Sequence, residues 1–291
     1  MTKRETQTRP SGIRRFLNTP KGIVLSVLAG LTLLAALRPQ DHLVLVNVLV
    51  AVVTGLLVDG AVALLQRRKR LFSDGAVITG LIVASVLGHA TPLWIVAATT
   101  VIALISKHIM VIGRKPLFNP AAVGLLVAIW VFHAGESWWA SLALMPAWMT
   151  LIVLIAGLTV AVRVNKFPQV TAFLGTYFGL LLVMAISHTG LPSDTPADAL
   201  RVPFVNSALY LAFFMLTDPP TSPAAYRQQV LFGILAAVVA TAIFATVGGL
   251  SYLLLGLLSA NLWKVVWVRG SQRRPAARER QRATPGAADS W

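Results

Sequence analysis

Apolar runs dominate this chain, and short polar loops cut them at near-regular intervals. Runs lie near residues 22–37, 43–65, 76–88, 91–110, 120–134, 146–162, 169–187, 203–217, 229–247 and 250–268. A helix needs about 20 apolar residues to cross the hydrocarbon of a bilayer. The runs are continuously apolar rather than alternating, which selects helices over a membrane barrel. The pattern therefore predicts an all-α integral membrane protein of about ten transmembrane helices.

The ten runs divide into two halves of five. Starts at 22, 43 and 76 recur at 146, 169 and 203, an offset of about 125 residues. Five is odd, so the second half would be inserted upside down relative to the first, as an inverted repeat with a site at the interface between repeats. Repeat one is expected over 22–134 and repeat two over 146–268. Runs three and eight are short: Ala76 to Gly88 is 13 residues, about 20 Å as a helix against a core of roughly 30 Å. Short, interrupted helices at corresponding positions point to a binding site, although two ordinary tilted helices would read the same way.

Charge changes the picture by its placement. The chain of 291 residues is 56% hydrophobic and 12% charged, with mean hydropathy +0.75 and net charge +15. If the first residues are cytoplasmic, 23 of the 25 Lys and Arg fall on the inner side, and only Arg38 and Arg201 fall outside. This is the positive-inside pattern. It assigns the basic residues to topology and anionic lipid and excludes nucleic acid as a partner. Both ends of the chain are expected in the cytoplasm: a basic segment over 1–21, a membrane domain over 22–268 and a basic, disordered tail over 269–291. The first run lacks a small-residue cleavage site and is expected to be a retained anchor. There are no cysteines, which excludes disulfides, cysteine-ligated iron–sulfur clusters and haem on C-x-x-C-H. No Walker motif or dinucleotide fingerprint is present, so nucleotide binding is not expected.

Three polar motifs interrupt the apolar sequence. Ser73-Asp74-Gly75 opens run three, Phe118-Asn119-Pro120-Ala121-Ala122 opens run five, and Thr217-Asp218-Pro219-Pro220-Thr221-Ser222-Pro223 closes run eight. Ser73 and Asn119 suit helix N-caps, and Pro120 suits a first turn. Pro219 and Pro220 cannot continue a helix. Capping does not explain why all three map to the same, cytoplasmic side. Together they offer carboxylates, an amide, hydroxyls and helix-end backbone groups, a set that suits a ring ligand with polar edges or a hydrated cation.

These blocks resemble those of the RnfD/NqrB family, the membrane flavoprotein subunits of Rnf and sodium-pumping NADH:quinone oxidoreductase complexes. The resemblance is carried by SDGAVITGLIVASVL, KHIMVIGRKPLFNPAAVGLL and FFMLTDPPTSP and spans roughly residues 20–268. It implies a ten-helix inverted-repeat fold similar to that of urea transporters, a non-covalent flavin (riboflavin or FMN) near the cytoplasmic side, and a covalent FMN near the outer side. Shorter RnfD-like proteins of biosynthetic gene clusters are also similar. The resemblance places Asn119, Thr217 and Asp218 in a flavin pocket, with Ser73 and Asp74 lining it and Lys107 and Arg114 offsetting charge on the reduced ring. Family members attach FMN to a threonine in Ser/Thr-Gly-Ala-Thr between spans seven and eight. Here that loop reads HTGLPSDTPADALRVP, and Ser193-Asp194 stands where the small Gly-Ala approach belongs. The expectation is therefore a non-covalent flavin, with Thr195 the residue that would carry a covalent one.

Other polar residues have two readings each. Asp59 inside run two is costly at a membrane centre and is either an ion or proton relay or an answer to Arg67–Arg70. His42, His89, His133 and His188 map to the outer ends of runs and His108 to the inner side, and no metal site is expected from them. Trp94, Trp138, Trp139, Trp148, Trp263 and Trp267 read as an interfacial aromatic belt. The sequence thus points to a multi-pass protein of the bacterial inner membrane that binds flavin and passes electrons alongside other membrane subunits. A channel for a small polar solute or ion and a cofactor-free structural subunit are the alternatives.

Overall fold

The computed structural model describes residues 16–37, 43–68, 71, 73–113, 115–189, 201–248 and 251–282, with side chains described to residue 267. Ten α-helices run through the described residues: α1 Pro20–Ala36, α2 Val44–Leu65, α3 Asp74–Val86, α4 Leu93–Ile109, α5 Pro120–Phe132, α6 Thr150–Arg163, α7 Phe167–Ile186, α8 Val202–Tyr210, α9 Tyr226–Thr246 and α10 Tyr252–Arg282. A two-stranded hairpin, Val111–Ile112 with Lys115–Pro116, separates α4 from α5. By length and composition α2, α7 and α9 are long and apolar enough to cross a membrane, and the other apolar helices or apolar helical stretches have 10–17 residues.

The two short helices stop for different local reasons. The backbone turns extended at Leu87, just past the end of α3. There the segment after α5 crosses it: Gly88 N–H donates to Gly135 O, and Ser137 and Trp138 N–H donate to Val86 O. Helix α8 widens into a π-helical turn over Leu211–Met215, with Leu216 N–H reaching back to Leu211 O at 2.8 Å. Pro219 and Pro220 then prevent continuation. π turns of this kind recur at functional sites. The caps follow the sequence in part. Asn119 Oδ1 accepts from Ala122 N–H at 3.1 Å. Ser73, expected to cap α3, makes no side-chain cap bond, and its Oγ is buried without a partner.

Three contacts among α1–α5 have counterparts among α6–α10, whereas those of α3 with α2, α4 and α5 do not. Helices α2·α4, α4·α5 and α1·α3 touch, as do α7·α9, α9·α10 and α6·α8, while α1·α6 and α5·α10 join the halves. Glycines set the closest crossings. A Cβ on Gly124 of α5 would lie 2.6 Å from Thr99 O of α4, and one on Gly256 of α10 would lie 2.4 Å from Ala236 O of α9. Small residues at crossings let helix backbones approach where lipid gives no hydrophobic drive.

One expectation is corrected here. Trp138 and Trp139 are 7% and 3% exposed and belong to the core, not to an interfacial belt. Trp139 Nε1 donates to Ala84 O at 2.7 Å, and Trp138 Nε1 donates to Glu136 at 3.0 Å. Their indole N–H groups find the partners that buried tryptophans need. Trp94, Trp148 and Trp267 are exposed, as a belt requires.

Candidate functional site

The end of the bundle that carries the basic loops also carries the three polar motifs. The loop after α8 is held there by side chains from four other elements. Gln169 of α7 donates to Leu216 O at 2.6 Å, and Asn119 Nδ2 donates to Met215 O at 3.0 Å. Asn261 of α10 takes the Asn119 N–H on its Oδ1 at 2.9 Å and gives its own Nδ2 to Thr221 O at 3.1 Å. Lys264 donates to Pro220 O at 2.8 Å, and Lys166 donates to Pro223 O. Within the loop, Thr221 Oγ1 donates to Asp218 Oδ2 at 2.8 Å, and Thr217 Oγ1 donates back to Phe213 O at 2.6 Å. Non-helical backbone in such a setting needs its groups satisfied, and these bonds satisfy them.

Against this loop lies a cavity of 520 Å³. Gly75 from the start of α3, Asn119 from the start of α5, and Thr217 and Asp218 after α8 all line it, so the three motifs converge on one space. Ile78, Ile82, Val24 and Phe214 supply apolar wall. Thr79, Lys21, Lys107 and Lys115 also line it. Burial pushes the Asp218 carboxyl above its ordinary range, opposed by the Thr221 hydroxyl and by Lys107, Lys264 and Lys166. Burial likewise lowers Lys166 to about 8, with Lys264 adding to the effect.

The sequence-based candidates divide accordingly. Lys107, Asn119, Thr217 and Asp218 face the cavity, whereas Ser73 and Asp74 stand beside it at the head of α3 and are not among the lining residues. Asp59 is 2% exposed and sits behind the wall, with its Oδ1 3.9 Å from Lys107 Nζ and 3.8 Å from His108 Nε2. Its basic neighbours are thus Lys107 and His108 of α4. Arg114 and Thr195 lie outside the described residues. Gln169, Asn261, Lys166 and Lys264 were missed by sequence reasoning. The available signal was an amide inside an apolar helix, which has to find a partner.

Among known proteins, the model of the NQR2, RnfD, RnfE family matches residues 19–144. That stretch contains α1 to α5, with the first two motifs. Over that stretch the chain is similar to the NQR2, RnfD, RnfE family. The RnfD protein of the ion-translocating oxidoreductase complex of Sodalis glossinidius (strain morsitans) is 25% identical over 283 residues, covering 73% of this chain and 81% of that protein. The RnfD protein of Pseudomonas aeruginosa (strain LESB58) is 25% identical over 233 residues, covering 59% and 67%. That of Actinobacillus succinogenes is 35% identical over 100 residues, 33% of this chain and 28% of that protein. The resemblance to the RnfD family drawn from the sequence motifs therefore holds at modest identity, and the apolar helices fit a membrane protein of that kind.

At the opposite end of the bundle, one half-buried acid stands apart. Glu136 Oε1 has no hydrogen-bond partner, and burial raises the carboxyl from 4.5 to about 8 against the Trp138 hydrogen bond. A carboxyl raised on folding contributes stability that is full below 4.5 and is lost as pH rises to about 8. Glu136→Gln lacks this dependence. In detergent, its melting temperature relative to wild type is expected to climb between those two pH values and to level off above them. A difference that is flat with pH would contradict the burial of this group.

Proposed function

We propose that this protein is a membrane-embedded electron-transfer subunit of an RnfD-type ion-translocating oxidoreductase complex, holding a non-covalent flavin in the cavity beside the Thr217–Pro223 loop. The observation that carries the reading is the convergence of Gly75, Asn119, Thr217 and Asp218 on one cavity of 520 Å³. That volume lies within the usual range for small-molecule sites, and apolar walls with a few polar groups are their usual composition. An isoalloxazine has flat apolar faces and polar edges, and the donor set fits it. Ile78, Ile82 and Phe214 supply walls for the faces. Asp218 and Thr217 supply edge acceptors, and Lys107 supplies a cation for the reduced ring. The flavin supplies the capacity to take up and pass on one or two electrons, and the protein positions it and tunes its potential.

The amide of Asn119 is already bonded to Ala122 N–H and Met215 O, so its main work is to fix the wall and the loop. Ser73 and Asp74 stand at the head of α3 beside the cavity, and the unpartnered Ser73 hydroxyl is free to bond a ligand there. Asp59 is placed to balance Lys107 and to relay a proton or ion behind the cavity. The repeated helix contacts and the paired glycine crossings support an inverted repeat of two five-helix units with the cavity between them. Basic-loop placement supports a bacterial inner-membrane location with both termini cytoplasmic, among other membrane subunits and anionic lipid.

Purified protein is expected to be yellow, with all flavin released to the small-molecule fraction on denaturation. Asp218→Ala leaves the ligand's donors unpaired, at a cost of about 1–3 kcal/mol, or roughly 5- to 150-fold in flavin affinity. Colourless protein that takes up no added flavin would overturn the reading and favour a solute or ion channel. Fluorescence retained on the denatured polypeptide would instead direct attention to Thr195.

A further inference from the structure

Lys107 and His108 are consecutive on α4, so their side chains leave the helix about 100° apart. Both nevertheless approach one atom of α2. Asp59 Oδ1 lies 3.9 Å from Lys107 Nζ and 3.8 Å from His108 Nε2. The carboxylate therefore stands between two bases, and neither is close enough for a hydrogen bond. Asp59 Oδ1 and His108 Nε2 are both buried without a hydrogen-bond partner. Unsatisfied buried polar atoms in a native structure need a reason. A proton on the ring nitrogen would satisfy both, since a charged imidazole donates from each nitrogen and an ionised carboxylate only accepts.

The two bases serve different sides. Lys107 lines the cavity, and a Cβ added to Gly75 would lie 3.3 Å from its Nζ. The bare glycine at the head of α3 thus leaves the ammonium room beside the ligand space. His108 stands in the last turn of α4, toward the basic loops, and its side chain is 14% exposed. Asp59 is 2% exposed and joins the two. Among the described residues, Arg68 faces both bases, and Lys21 and Asp218 face Lys107. At rest Lys107 is the counter-ion of Asp59, so a second cation at His108 is not needed. A buried carboxylate keeps its charge only with a cation beside it. If Lys107 is drawn toward negative charge in the cavity, His108 is the base in place to succeed it.

Resting on the flavin reading above, we propose that Asp59, Lys107 and His108 form a proton-uptake switch, in which negative charge arriving in the cavity draws Lys107 away from Asp59 and His108 takes up one proton to replace it. The flavin supplies that charge when it accepts two electrons from a low-potential electron carrier together with one proton. At His108 one N–H bond forms, water supplies the proton, and no bond of the protein breaks. One negative charge gained in the cavity is matched by one positive charge gained on the ring.

Two measurements on the full-length protein in detergent test the switch. The first uses flavin-free protein carrying isotope-labelled histidine, observed by NMR, with the His108 signal identified by its loss in His108→Gln. Lys107→Met stands in for the departed ammonium. At neutral pH the ratio of charged to neutral His108 ring should rise roughly tenfold over wild type, and adding Asp59→Asn should abolish the rise. An unchanged ratio in Lys107→Met would overturn the proposal. In the second measurement, flavin-loaded protein is reduced at an electrode in weakly buffered solution, and the protons taken up per flavin are counted with a pH dye. Wild type should take up roughly one proton more than His108→Gln. If Lys107→Met does not fold, this count decides alone. Equal uptake by wild type and His108→Gln would overturn the switch and leave the flavin reading standing. Protein that binds no flavin would overturn both.

Discussion

Gly124→Leu and Gly256→Leu are each expected to abolish recovery of folded protein, while Gly175→Leu is expected to leave it intact. At Gly124 an added Cβ would meet Thr99 O at 2.6 Å and Ala103 Cβ at 2.8 Å. At Gly256 it would meet Ala236 O at 2.4 Å and Ala240 Cβ at 2.8 Å. The obstructing atoms include backbone carbonyls, which cannot rotate away as a side-chain end can. The helices would have to separate along their length, and each neighbouring contact would weaken with them. Overpacking a close-packed interior costs about 1–3 kcal/mol and often more, and leucine adds three carbons beyond the Cβ. Nothing lies within 4 Å of a Cβ at Gly175. Size-exclusion profiles of fluorescently tagged variants provide the measurement. Equal peaks for all three would contradict the close crossings of α4 with α5 and of α9 with α10.

Asn119→Ala is expected to lower stability and flavin content together. Asn119 is 3% exposed, so water cannot replace what its side chain does. The substitution leaves Ala122 N–H without its cap and Met215 O without its donor. Loss of an N-cap costs about 0.5–2 kcal/mol and an unpaired buried polar group about 1–3 kcal/mol, a combined loss of roughly 1.5–5 kcal/mol if the site does not relax. The backbone N–H of residue 119 still donates to Asn261, which holds Thr221 O, so the Thr217–Pro223 loop loosens at its Met215 end. Asn119→Ser should fall between wild type and alanine, since a hydroxyl restores the cap but does not reach Met215. Melting in detergent and flavin stoichiometry are measured on the same preparations. Unchanged melting in Asn119→Ala would show that this asparagine does not tie α5 to the loop.

The helices were largely legible because lipid imposes a single rule on backbone polar groups. Runs at 43–65 and 169–187 became α2 Val44–Leu65 and α7 Phe167–Ile186. The shortness of runs three and eight was readable too, and α3 and α8 are short in the structure. What stopped α3 was not readable, since its end is set by Gly135, Ser137 and Trp138 arriving from a segment some 50 residues later. Trp138 and Trp139 were misassigned for the same reason: a tryptophan pair near a helix end looks interfacial until its indole N–H groups are seen to be used inside. The π turn at Leu211–Met215 has no local sequence signal. It becomes intelligible once Gln169 and Asn119 are found holding the carbonyls at its end.

The site was legible as motifs and not as an arrangement. Asn119, Thr217 and Asp218 could be chosen because polar residues beside prolines interrupt apolar runs. Asn261, Gln169, Lys166 and Lys264 could not be tied to that loop, because each is a single residue whose partner is distant in sequence. Lys21 and Lys115 read only as topology signals, since one dimension cannot distinguish a lysine facing lipid headgroups from one facing a cavity.

Photolabelling tests the central claim most directly, that one flavin sits where the two halves of the chain meet. An azido-flavin is bound to purified protein, irradiated, and the labelled peptides are identified by mass spectrometry with and without excess unlabelled flavin. Saturable label is predicted on two stretches from opposite halves, one containing Ile78–Ile82 and the other Phe214–Pro220. Label confined to the opposite end of the bundle near Trp138, or label that excess flavin does not suppress, would contradict the account.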